Sequence, residues 1–129
     1  MKYSKYLPFI GRVLLGAPFL MSGLSKLAAH DSVVGSIAAA GLPLAPLGYI
    51  IAVIVEAGGG TSLLIGFRAR FAALVLAVFS LATAVFFHRN FADQNTMIHF
   101  LKNVMMAGGL LQIVHFGAGA VSLDARKGR

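Results

Sequence analysis

The sequence predicts an all-α protein, a bundle of four transmembrane helices with both termini cytoplasmic, and three observations predict it. Hydrophobic residues make up 58% of the 129 residues and charged residues only 12%, too few to coat the outside of a soluble bundle. Long apolar segments recur at about 7–29, 47–67, 71–87 and 97–117, each roughly the length that crosses a hydrocarbon layer of about 30 Å. The basic residues gather in alternate breaks between these segments, which orients the spans. A single integral membrane domain, 1–129, accounts for a chain of this size.

The composition also excludes function classes. The net charge is +7, but the basic residues flank apolar runs instead of sharing one amphipathic face, so the expected partner is the lipid bilayer and not nucleic acid. There is no cysteine, which removes disulfides, thiol exchange, zinc–thiolate sites and cysteine-held iron–sulfur clusters. Any redox role must borrow a cofactor or a partner.

The first segment, Leu7–Ala29, follows Lys2 and Lys5. Arg12 interrupts it and no small-x-small cleavage site follows, so it reads as an uncleaved helix. Pro18 predicts a kink, because it deletes a backbone donor and crowds the carbonyl one turn back. Arg12, Gly16, Phe19, Gly23 and Lys26 recur at helical spacing, placing two cations and two glycines on one face. His30–Pro46 reads as a loop carrying a short surface helix over 32–40.

The second segment, Leu47–Phe67, holds Glu56 halfway along an otherwise uncharged run. A carboxylate near the midplane costs several kcal/mol, about 3 or more, unless a cation or water answers it, so it marks a functional site. Gly58, Gly59 and Gly60 strip bulk from the helix beside it, and Gly58, Ser62 and Gly66 form a small-xxx-small stripe for a neighbouring helix. Arg68 and Arg70 make a short turn. The third segment, Phe71–Phe87, has no ionisable residue and reads as a lipid-facing or scaffolding helix. A polar loop, His88–Thr96, precedes the fourth segment, Met97–Gly117, which begins with His99, Lys102 and Asn103. From Ala118 the chain is a polar, basic tail. Lys2, Lys5, Arg68, Arg70, Arg126, Lys127 and Arg129 then fall on the cytoplasmic side, with Asp31, Arg89 and Asp93 opposite.

Three cations, Arg12, Lys26 and Lys102, are available to Glu56. Rise arithmetic puts Lys26 and Lys102 at similar depth, with Glu56 roughly 8–12 Å deeper. The expected site is an outer-half pocket lined by Lys26, Glu56, His99, Lys102 and Asn103, with Gly59 admitting a flat ligand; Arg12 is the alternative partner, in a structural ion pair with Glu56. The bland reading is that these ions only stitch helices together and fix their register. The histidines show no metal-ligand spacing, so no metal is expected.

These pieces also carry a resemblance. They are R-x-L-L-G-x-x-F-L-x-x-G-L-x-K (Arg12–Lys26), G-L-P (Gly41–Pro43), E-x-G-G-G-x-x-L-L-I-G-F-x-x-R (Glu56–Arg70), F-F-H-x-N-F-A (Phe86–Ala92), F-L-K-N (Phe100–Asn103), G-G-L-L (Gly108–Leu111) and G-x-G-A-x-S-L-D (Gly117–Asp124). Together, and in this order, they resemble the DoxX/DoxD-like family of small bacterial inner-membrane proteins, of the YqjF and YphA kind. The resemblance implies a four-helix, multi-pass inner-membrane bundle. Some members look like subunits of thiosulfate:quinone oxidoreductases and others accompany membrane redox or oxidative-stress complexes. Arg12, Lys26, Glu56, Lys102 and Asn103 match the family's polar motif positions.

The expectation is therefore a redox-associated protein with no covalently bound cofactor that binds a quinone-like or other small, partly polar ligand. The alternative is a non-enzymatic anchor or assembly subunit for a membrane or peripheral redox partner, or a homo-oligomer. A small-solute transporter is the third reading.

Overall fold

The structure, a computed structural model, describes residues 4–39, 41, 44–87 and 94–126. Lys2, Pro43, His88, Arg89, Asp93, Lys127 and Arg129, which the sequence reading used for loops and orientation, lie outside the described residues. A short 3-10 turn, Ser4–Tyr6, leads into α1 (Leu7–Ala28), α2 (His30–Ala39) and α3 (Ala45–Val53). A π-helical turn (Ile54–Gly58) joins α3 to α4 (Gly59–Ile65), and α5 (Ala69–Phe87), α6 (Gln94–Phe116) and the short α7 (Leu123–Arg126) follow. Among the described residues there is no strand.

Among the described residues three helices are long and apolar enough to cross a membrane: Leu7–Ala28, Ala45–Ile65 and Met97–Phe116. The apolar helix Ala69–Val85 is shorter. The second of these spans begins two residues before the expected start at Leu47, because Pro46 suits a helix's first turn, where its missing N–H has no bond to lose. It ends at Gly66, whose φ of 72° is the left-handed conformation a glycine adopts without a Cβ clash. Helix α1 passes through Pro18 without interruption.

Close packing of α1 on the π turn and α4 rests on glycines, though not the stripe expected from spacing. A Cβ on Gly60 would lie 2.6 Å from the Leu20 amide nitrogen and 2.7 Å from the Gly16 carbonyl oxygen. On Gly23 it would lie 2.7 Å from the Ala57 nitrogen. Gly58 faces open space and Gly66 belongs to the turn, so the expected Gly58–Ser62–Gly66 stripe is replaced by Gly16 and Gly23 against Ala57 and Gly60.

Of the two readings of the third segment, lipid-facing or scaffolding, the packing of α5 fits the scaffold. Ala69, Ala72, Ala73, Leu76, Ala77, Ser80 and Ala84 line a buried face at helical spacing, while Phe71, Leu74, Val78, Leu81 and Val85 face outward. The core joins that face to Phe19, Leu63, Ala107 and Leu110. Small alanines let α6 lie close, and Leu76 fills the space beside Gly59. A second cluster packs Ile37 of α2 against Ala45 and Tyr49 of α3.

The C-terminal segment, read from sequence only as polar and basic, is built into the fold as far as Arg126. Asp124, 8% exposed, accepts hydrogen bonds from the amides of Arg68 (2.7 Å) and Ala69 (2.9 Å), the orphan donors at the start of α5. Its own amide donates to the Gly66 carbonyl at 2.9 Å. Asp124→Ala is expected to lower stability by about 1–2 kcal/mol and to speed hydrogen exchange at Arg68 and Ala69 selectively, because a cap is lost. Uniform exchange rates in parent and variant would contradict this.

Candidate functional site

Glu56 sits in the π turn. A π turn holds an extra residue per turn and recurs at functional sites, and here the three following glycines give the helix little side-chain packing of its own to resist the widening. The carboxylate is buried, its side chain 6% exposed, and its Oε1 lies 2.7 Å from Lys26 Nζ, whose side chain is 25% exposed. That distance is that of a charge-assisted hydrogen bond. Lys26 donates a second bond to Ser22 Oγ at 2.9 Å, one helical turn earlier. The carbonyl of Lys26 accepts from the Tyr49 hydroxyl at 3.1 Å, which ties the end of α1 to α3. Lysine length thus bridges the depth difference that rise arithmetic placed between the two residues.

Lys26 and Glu56 form part of the wall of a cavity of about 640 Å³ that also takes in Ser22, Asn103, Ser80 and Thr83. Its apolar lining includes Phe19, Val33, Ile37, Phe79 and Met106. Asn103 Nδ2 donates to Thr83 Oγ1 at 3.0 Å and to the Ser80 carbonyl at 3.3 Å, and Thr83 Oγ1 donates to the same carbonyl at 3.0 Å. Ser80 is 2% exposed, and its Oγ has no hydrogen-bond partner among the described residues. Buried hydroxyls are rarely left so, and this one stands in the wall of a cavity.

Of the residues expected at the site, Lys26, Glu56 and Asn103 come together. His99 and Lys102 are exposed and do not line the cavity, and Gly59 is turned to Leu76. The expected Arg12–Glu56 pair is not formed. Arg12, 1% exposed, donates from Nη1 to the Leu63 carbonyl at 2.7 Å and from Nη2 to the Val121 carbonyl. It therefore sits toward the opposite end of α4, where its acceptor Leu63 lies seven positions after Glu56. Ser22, Ser80 and Thr83 were missed. A signal existed: Ser80 and Thr83 are the only hydroxyls in the third apolar segment, three apart, and Ser22 lies four before Lys26. Among the described residues no three His, Asp or Glu side chains cluster as metal ligands would.

Apolar helices long enough to span a bilayer, enclosing a buried ion pair at the wall of a mostly apolar cavity, define a helical membrane protein with an internal polar site. Residues 7–89 match the DoxX family model. The inner membrane protein YqjF of Escherichia coli (strain K12) is 36% identical over 115 residues, covering 89% of this chain and 87% of the relative. The inner membrane protein YphA of the same organism is 34% identical over 122 residues, covering 91% and 87%. The chain belongs to the DoxX family and is a multi-pass inner-membrane protein. No solved structure matches it.

Proposed function

We propose that this protein is a redox-associated membrane subunit whose cavity binds a quinone-like molecule, within a bundle in which α5 is the fourth span and both termini are cytoplasmic. The observation that carries the reading is that two residues on separate helices, Lys26 of α1 and Ser80 of α5, line one mostly apolar cavity, and that the buried Ser80 hydroxyl has no hydrogen-bond partner among the described residues. A flat ring with two carbonyl oxygens suits two such donors, and the volume lies within the roughly 300–1,000 Å³ of small-molecule sites. When bound, a quinone supplies the capacity to take up electrons and protons. The chain's own part is to orient it. Two of the three Lys26 ammonium protons are committed to Glu56 and Ser22, which fixes the direction of the third. Glu56 balances that charge. Asn103 stiffens the Ser80–Thr83 wall. With no cysteine in the chain, electrons come from a partner enzyme.

Titrating a short-tailed benzoquinone into the purified protein tests this. Saturable binding is expected, weakened about five- to tenfold by Ser80→Val, the scale of one lost hydrogen bond, and unchanged by Lys102→Ala. Absence of saturable binding, or equal binding by Ser80→Val, rules the site out.

A further inference from the structure

A second cavity, of about 550 Å³, lies where the turn between α4 and α5 meets the segment after α6. We propose that it holds the phosphodiester of an anionic phospholipid, gripped by Arg68 and Arg70. Neither guanidinium has an acidic partner among the described residues: the only carboxylate in the cleft wall, Asp124, spends both oxygens on the Arg68 and Ala69 amides. Two positive charges therefore face one negative charge that is already turned into the protein.

The backbone sets both arginines. Arg68 has a left-handed φ of 48°, uncommon for a residue with a Cβ, and its guanidinium lies 5.7 Å from the Phe67 ring centre. Arg70 lies flat against Gly117: a Cβ there would come within 3.0 Å of Nε and 3.2 Å of Nη2. Only a residue without a side chain leaves room for that seating, and Gly117 (φ 83°) is also in the glycine region. A planar guanidinium can bind a tetrahedral oxyanion through two parallel N–H groups, which an ammonium cannot match.

The same cleft identifies the source of the phosphate as lipid. Phe71 and Phe116 line it and are 68% and 71% exposed, and both stand at the ends of apolar helices. Basic pockets beside apolar helix ends bind anionic headgroups, whereas a free phosphate has no use for two phenyl rings. The site does not depend on the cavity around Lys26.

Native mass spectrometry of the full chain in neutral detergent, with dioleoyl phosphatidylglycerol and dioleoyl phosphatidylcholine as probes, tests the proposal. One phosphatidylglycerol per chain is expected to be retained about tenfold better than phosphatidylcholine, whose identical phosphodiester arrives with a quaternary ammonium that the two arginines repel; tenfold is about 1.4 kcal/mol. Arg68→Gln with Arg70→Gln should abolish that preference. Ala120→Glu, which adds a carboxylate to the cleft wall while leaving both arginines in place, should do the same. Lys102→Gln, roughly 21 Å from Phe116 along α6, should keep it. Retention unaffected by the arginine and Ala120 variants overturns the site. Equal losses with Lys102→Gln reduce it to bulk charge, and displacement of the lipid by excess inorganic phosphate assigns the cleft to free phosphate instead.

Discussion

Lys26→Met is expected to lower the unfolding free energy in detergent by about 3–5 kcal/mol, the cost of stranding one member of a buried pair. Glu56→Gln should cost clearly less. The asymmetry follows from burial: the Glu56 side chain is 6% exposed and too short to reach water, so removing its cation leaves the carboxylate buried without the partner that answered it. Lys26 is 25% exposed, near the end of α1, and its long stem can carry an unpaired ammonium toward the interface. The double variant Lys26→Met with Glu56→Gln, which removes both charges, should recover most of the loss. Denaturant or thermal unfolding of the four proteins decides the matter. If Lys26→Met proves harmless, or the double variant is the least stable, the pair is not the closed arrangement described.

The second large effect is steric. Gly60→Val is expected to prevent α1 from reaching α4 and to leave little folded protein. The atoms its Cβ would meet are main-chain atoms, the Leu20 nitrogen at 2.6 Å and the Gly16 oxygen at 2.7 Å, and neither can rotate away. Overpacking costs about 1–3 kcal/mol where flexible side chains absorb it, and more where backbones must separate. Gly58→Val, two residues earlier, meets nothing within 4 Å and should be tolerated apart from some loss of helix propensity. The comparison is read from the yield of monodisperse protein and its thermal midpoint. Equal behaviour of the two variants contradicts the packing.

What the sequence made legible was whatever cost most in hydrocarbon. Apolar runs of membrane length announced the spans, and a carboxylate among them announced Glu56. Lys26 was among its candidates for the same reason, since a buried acid requires a base. Which base it takes was not legible, because helical rise gives depth along an axis but no azimuth, and Arg12 and Lys26 share one face of α1. The structure separates them by seven or so residues of α4 and its approach: Lys26 meets the π turn, and Arg12 meets the carbonyls at the far end.

Ser80 escaped notice because a lone hydroxyl is cheap in a helix, where it can bond its own backbone. Its meaning depends on a neighbour, Asn103, that only tertiary packing supplies. The π turn was equally hidden. Three glycines permit it, but permission is not a periodicity signal. Asp124 was read as part of a tail because its partners are main-chain amides at a turn 55 and 56 residues away, and amides carry no sequence signature.

Arg12 has an acceptor, the Val121 carbonyl, 109 positions further along the chain. During synthesis the first span is made long before that carbonyl exists. Until then its guanidinium has the Leu63 carbonyl as acceptor once the second span is made, and its other amino group gains a protein acceptor only when the later stretch packs back. The first helix therefore reaches its final set of contacts only after residue 121 has been made, and a chain stopped before that point leaves one arm of Arg12 without this acceptor.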